Sequence, residues 1–288
     1  MTSGVSFMGL SDIDVNEESI DCPTRDGHFL ELRVHRDSSF SPRDAKPDSP
    51  LIVLFHGGHH VLGFPGTLAG IAGSIAKQFN AVVVSAGYRL APENAFPVGV
   101  EDAWDVLEWC SNHAVDTLYA EPSKGFIVGG VSSGGSMSVV LAHMARDKNM
   151  QPPITGLYLA CASIRAPKDD PSSLPKEYQE KYFSRTQEEC VDSPIMPASM
   201  AKFMDRLYKP DPSSELFAPL TWPSGHAKLP RTYFQVCGVD TARDENLIFQ
   251  DMLQKEHVPT RMELYAGLPH TFWTVMYERL QRSWHCDH

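Results

Sequence analysis

Between Phe126 and Arg146 the sequence passes from a short apolar run, Phe126-Ile127-Val128, through Gly129-Gly130-Val131-Ser132-Ser133-Gly134-Gly135 into a segment with helical spacing. A strand that turns directly into a helix leaves little room for side chains at the bend. Gly130 and Gly134 relieve that crowding on either side, and Ser132 between them is left projecting its hydroxyl from the tip of the turn. The helix N-terminus behind Ser132 adds partial positive charge where an oxyanion would form. The element therefore predicts both a nucleophilic serine and a sheet whose strands alternate with helices.

The remainder of the chain follows that alternation. After a polar lead-in over residues 1–18, Ser19 to Arg36 reads as two strands joined at Arg25-Asp26-Gly27, Asp-Gly being a hairpin signal. Beyond a loop rich in Pro, Ser and Asp, Leu51 to Phe55 reads as a buried strand, Leu68 to Phe79 as a helix, Ala81 to Ser85 as a strand and Val98 to Cys110 as a helix. Strands at Ile154 to Leu159, Thr232 to Val236 and Thr260 to Leu264, a helix at Arg243 to Lys255 and a closing helix after Thr271 complete the pattern. This predicts an α/β fold with a mostly parallel central sheet flanked by helices. The pattern breaks between Ala162 and Lys228, where Met200, Phe203, Met204 and Leu207 fall on one face of a short helix. An insertion of this kind reads as a cap over the C-terminal edge of the sheet, its stripe either fixing the cap to the body or lining a pocket. The expected organisation is a lead-in and hairpin over residues 1–50, a core formed by 51–161 and 229–288, and a cap insertion over 162–228.

A formal net charge of −11 without Lys/Arg clusters argues against nucleic-acid and anionic-membrane partners. The longest apolar runs are far too short to span a bilayer. The start, Met1 to Glu18, lacks the basic n-region and apolar core of a signal peptide, so a cytoplasmic location is expected. The six cysteines are scattered without a C-x-x-C pair and read as reduced core thiols.

A serine hydroxyl needs a base within hydrogen-bond reach and a carboxylate to orient that base. Loops at the C-terminal ends of parallel strands converge on one crevice, so residues just after different strands can meet there. Asp240 and Asp244 follow one late strand, and His270 follows the next. Asp240 lies nearer the strand end and is the expected partner of His270; Asp244 suits the first turn of the following helix. Glu93 and Asp102 read as loop-pinning residues. The strand at Leu51 to Phe55 ends in His56-Gly57-Gly58-His59-His60, whose glycines let backbone N–H groups approach a ligand. No carboxylate accompanies these histidines at ligand spacing and the rest of the chain offers a metal-free chemistry, so no metal is expected; a serine hydrolase of this kind also calls for no cofactor.

His56-Gly57-Gly58, Tyr88-Arg89-Leu90-Ala91-Pro92-Glu93, Phe96-Pro97 with Glu101-Asp102-Ala103, Gly130 to Gly135, Asp240 to Asp244 and His270-Thr271-Phe272 together resemble the hormone-sensitive-lipase-like carboxylesterases of the α/β-hydrolase fold. The resemblance implies Ser132 as nucleophile, His270 as general base and acid, Asp240 as its orienter, and an oxyanion hole from the N–H groups of Gly58, His59 and Ser133. It also implies a cap built from the N-terminal segment and the insertion, and a homodimer as a frequent state. Two positions depart from the family pattern: His59 stands where a third glycine is usual, and Val131 where an acidic residue is usual. His59 brings a bulky, titratable ring near the substrate, and Val131 removes a charge beside the nucleophile.

The expected activity is hydrolysis of small to medium carboxylic esters, with His60, Val61, Leu62, Met200 and Met204 as candidate substrate-binding residues. One alternative keeps the site but uses it for elimination, acyl transfer or cyclisation in secondary metabolism. Another is a binding protein like the plant hormone receptors that resemble this family but lack a triad member; here all three residues are present.

Overall fold

Every residue of β3 (Leu51–Phe55) is buried, because both faces of this strand are covered. In the computed structural model, which describes residues 14–41 and 46–274, Leu51, Val53 and Phe55 enter one apolar core and Ile52 and Leu54 another. This period-two division is what a sheet with helices on both sides requires. The neighbours β4 (Val82–Ala86) and β5 (Phe126–Val131) divide in the same way: Val82, Val84, Phe126 and Val128 face the larger core, and Val83 and Val131 the smaller.

The sheet has eight strands in the order β1-β2-β4-β3-β5-β6-β7-β8. From β4 onward all pairs are parallel, with β6 at Gly156–Ala160, β7 at Arg231–Val239 and β8 at Thr260–Pro269. The hairpin of β1 (Val15–Pro23) and β2 (Phe29–Asp37) adds antiparallel to the β4 edge. The first strand starts within the expected lead-in, at Val15. The larger core receives α2 (Val98–Asn112), α3 (Ser133–Asp147) and α7 (Arg243–Lys255), through side chains such as Trp104, Leu107, Met137, Leu141 and Phe249. The smaller core receives α1 (Ala69–Phe79) through Ala72 and Ala76. The lead-in before residue 14, Cys286 and a closing helix beyond Thr274 lie outside the described residues.

The segment between β6 and β7 carries α4 (Lys176–Gln179), α5 (Glu188–Val191) and α6 (Ala198–Tyr208). It docks on loops at the C-terminal ends of the strands. Ser184 donates to the carbonyl of Thr241 at 2.7 Å and Ser193 to that of Val239 at 3.1 Å, while the N–H of Phe96 reaches the carbonyl of Tyr208 at 2.9 Å. The apolar stripe of α6 corrects the sequence expectation. Met200 and Phe203 are 44% and 52% exposed, whereas Met204 and Tyr208 are buried. The inward face carries Ala201, Met204, Asp205 and Tyr208, the same i, i+3, i+4, i+7 spacing moved by one residue. That rotation brings Asp205 and the Tyr208 ring onto partners in the body of the molecule, described below.

Asp102, buried in the first turns of α2, accepts from the backbone N–H of Arg89 at 2.9 Å and from its guanidinium, with contacts as short as 2.6 Å. It pins the loop after β4, while Glu93 is exposed. Removing Asp102 leaves the N–H of Arg89 unsatisfied and its guanidinium paired only with the exposed Asp26, at 2.7 Å. Asp102→Ala is therefore expected to lower stability by about 3 kcal/mol, measured by urea unfolding; a loss within error of zero would show that the loop holds without it.

Candidate active site

The turn from β5 into α3 holds Ser132 at φ 56, ψ −119, a conformation that L-residues rarely adopt. The bend is held by close packing. A Cβ on Gly134 would stand 2.0 Å from the carbonyl oxygen of Phe55, and one on Gly130 would stand 2.5 Å from the same atom. The N–H of Ser132 is tied to the carbonyl of Ala160 at 2.8 Å, so the neighbouring strand also fixes the serine.

His270 directly follows β8 and Asp240 directly follows β7, and both are buried. His270 Nε2 lies 2.9 Å from Ser132 Oγ, and its Nδ1 lies 2.7 Å from Asp240 Oδ2. A carboxylate beside Nδ1 selects the tautomer with its proton there, which leaves Nε2 as acceptor for the serine proton. Asp240 Oδ1 also accepts from the N–H of Ala242 at 3.0 Å, which orients the carboxylate. Burial lowers the affinity of His270 for a proton, but the charge of Asp240 and its hydrogen bond outweigh that, leaving the imidazole pKa raised. Asp244 has a different job: it accepts from the N–H groups of Phe183 and Ser184 at 2.9 and 2.6 Å and anchors the insertion to α7.

The loop after β3 runs beside this line. A Cβ on Gly57 would lie 3.1 Å from Ser132 Cβ. Gly58 takes φ 116, and a Cβ there would stand 2.0 Å from the carbonyl oxygen of Leu62, so only glycine fits. Among the described residues no protein acceptor takes the N–H of Gly58 or His59, and that of Ser133 lies at the start of α3. A helix N-terminus and a glycine loop thus offer free donors beside one serine.

The three histidines of the loop go to separate places. His56 stacks on Tyr88 with centroids 4.3 Å apart, and its Nδ1 lies 2.8 Å from the carbonyl oxygen of Gly57. Its pKa is lowered to about 4 by burial, which keeps the ring neutral. His59 Nε2 lies 2.8 Å from Asp205 Oδ1, and His60 stacks on Tyr208 at 4.3 Å. A carboxylate does therefore meet one of these histidines, from a part of the chain too distant for spacing to show. Among the described residues, ligand atoms of Cys161, Asp240 and His270 lie within 4.8 Å of one another. Two of these three groups are already hydrogen-bonded to each other.

The candidate substrate-binding residues are not all gathered together. Val61 packs with Ala91, Phe96, Tyr208 and Phe217. Met204 and His60 are buried, whereas Leu62 and Met200 are 55% and 44% exposed. Tyr88, Arg165, Asp205 and Tyr208 were not anticipated as site neighbours. Asp205 and Tyr208 share an i, i+3, i+4, i+7 register of α6, but the more apolar register beside it masks that one.

Residues 52–274 match the Abhydrolase_3 family, described as alpha/beta hydrolase fold. An AB hydrolase superfamily protein of Schizosaccharomyces pombe is 34% identical over 261 residues, 90% of this chain and 74% of that protein. The versiconal hemiacetal acetate esterase of Dothistroma septosporum is 29% identical over 259 residues, 90% of this chain and 75% of that protein. A crystal structure of vibralactone cyclase superposes with a TM-score of 0.84 at 31% identity, covering 96% of this chain and 79% of that one. The chain belongs to the hormone-sensitive-lipase-like carboxylesterase family of the alpha/beta hydrolase fold. No helix among the described residues is long and apolar enough to cross a membrane.

The raised pKa of His270 has a measurable consequence. Its imidazole is expected to titrate above the ordinary 6.5, carrying its charge at lower pH and losing it as pH rises through the raised value. Asp240→Asn removes the compensating charge and should bring the midpoint below that of the unaltered protein, as followed by NMR of the ring protons. An unchanged midpoint would show that Asp240 does not govern this imidazole.

Proposed function

We propose that this protein is a serine hydrolase that cleaves carboxylic esters of small to medium acyl chain through an acyl-enzyme. The observation that carries this reading is the hydrogen-bonded line from Asp240 through His270 to Ser132, at 2.7 and 2.9 Å. Ser132 Oγ attacks the ester carbonyl carbon while its proton passes to His270 Nε2. The carbonyl π electrons move to oxygen, and the N–H groups of Gly58, His59 and Ser133 hold the resulting oxyanion. Collapse of the tetrahedral intermediate expels the alcohol, which takes the proton from His270. Water activated by the same imidazole then releases the acid and restores Ser132. Asp240 holds the imidazole through Nδ1 and stabilises the imidazolium.

Each element of this reading has a physical support. The left-handed turn at Ser132 holds its hydroxyl clear of the helix, and the burial of Asp240 and His270 strengthens their interaction. Relatives named as esterases make carboxylic esters the substrate class. Val61, packed against Tyr208 and Phe217, and the buried Met204 are the apolar candidates for an acyl pocket. The five buried free thiols among the described residues agree with a reducing, cytoplasmic setting.

The likeness to vibralactone cyclase favours a second reading. In it, Ser132 forms the same acyl-enzyme, and an oxygen or carbon nucleophile within the bound acyl group displaces the serine in place of water, closing a ring. Product analysis separates the two, since hydrolysis incorporates one oxygen from labelled water into the acid and ring closure incorporates none.

Ser132→Ala is expected to lower kcat on p-nitrophenyl butyrate by about 10⁴-fold or more, with circular dichroism unchanged. A mutant retaining even a tenth of the turnover would overturn the mechanism.

A further inference from the structure

His59 occupies the loop position where the family pattern has a third glycine, at φ 56, with His60 beside it at φ 60. Two consecutive side chains in the left-handed region are unfavourable, and a glycine would adopt that conformation freely. Both are gripped from outside the loop by one helix. On α6, Asp205 takes His59 Nε2 at 2.8 Å, and Tyr208, one turn further on, stacks against the His60 ring at 4.3 Å and an interplanar angle of 7°. Arg165 backs the first contact: its guanidinium lies 3.1 Å from Asp205 Oδ2 and also 3.1 Å from Asp169.

The location of Asp205 argues that this contact explains its presence. It lies in the last turn of α6, and its carbonyl accepts the N–H of the C-cap residue Lys209. A negative charge there opposes the helix dipole, so α6 alone gains nothing from it. Its Oδ1 instead meets His59 at 2.8 Å and accepts a longer bond from Arg165 at 3.4 Å, and its Oδ2 accepts from Arg165 at 3.1 Å. Burial would raise its pKa, and the His59 hydrogen bond with the Arg165 charge more than reverses that, so the carboxylate stays ionised.

We infer that Asp205, held by Arg165, is a positioning residue: it fixes the imidazole of His59 so that the N–H groups of Gly58 and His59 point at the oxyanion, replacing the conformational freedom of the missing glycine. The inference rests on the proposed use of those N–H groups. It makes the insertion part of the active-site machinery, because oxyanion geometry then depends on how α6 is docked. Oxyanion donors act in the transition state, so their misalignment lowers kcat and leaves KM nearly unchanged.

The test compares Asp205→Ala in the natural background and in a His59→Gly background, reading kcat and KM on p-nitrophenyl butyrate and the rate at which a fluorophosphonate labels Ser132. In the natural background, Asp205→Ala should lower kcat and labelling by about 10–100-fold with KM changed less than about threefold. Asp205→Asn, which keeps an acceptor for Nε2–H, should recover most of that loss. In the His59→Gly background the same Ala substitution should cost less than about threefold, because no ring remains to be held. Asp205→Leu, which preserves bulk in the helix, replaces the alanine variant if that one unfolds. Equal losses in both backgrounds, or a rise in KM alone, would overturn the inference. Should the unaltered protein label but not turn over the ester, hydrolysis fails as the reading while the labelling rates still decide the role of Asp205. A folded protein that neither labels nor hydrolyses overturns both.

Discussion

The carbonyl oxygen of Phe55 is where two glycines of the Ser132 turn close against the end of β3. The backbone at Gly130 and at Gly134 approaches it so closely that a single added carbon at either position would fall within 2.5 Å. That contact joins the end of β3 to the turn carrying Ser132, and the geometry of the site follows from it. Residues after Phe55 must leave the sheet beside Ser132, which places Gly57 against the serine. The turn itself must be sharp, which drives Ser132 to a positive φ and holds its hydroxyl clear of the helix.

Burial then assigns different states to chemically identical groups. His56 and His60 are desolvated without an anion in hydrogen-bond contact, and their pKa values fall to about 4 and about 3. They are neutral rings that stack on Tyr88 and Tyr208. His270 is equally shielded but has a carboxylate at 2.7 Å, and its proton affinity rises. Desolvation acts on all three; the adjacent charge decides which imidazole can take up a proton near neutral pH.

The same distinction explains what was legible in the sequence. The strand-turn-helix around Ser132, the alternation of β and α and the placing of Asp240 and His270 after consecutive strands are local patterns, and local patterns survive in a linear sequence. Asp240 follows the last residue of a strand and Asp244 lies in the first turn of a helix, a difference local enough to read. The rotation of α6 was not legible. Met200, Phe203, Met204 and Leu207 form a more apolar stripe than Ala201, Met204, Asp205 and Tyr208, so hydrophobicity alone picks the wrong face. The winning register is set by a histidine 146 residues earlier and an arginine 40 residues earlier, and such long-range polar contacts leave no periodic trace.

The two departures from the family pattern have structural answers of opposite kinds. Val131 needs no partner: it lies in the apolar cluster with Ile52, Leu54 and Ala160, where a carboxylate would have to be desolvated against hydrocarbon. His59 does need a partner, because its ring can neither be buried unpaired without cost nor left to move beside the reacting carbonyl. The chain supplies that partner from the insertion, the segment expected to differ most between enzymes that share this core. A loop that is self-sufficient when built from glycine thus becomes dependent on a distant helix when one glycine is replaced. The docking of α6 and the alignment proposed for the oxyanion donors can then no longer vary independently.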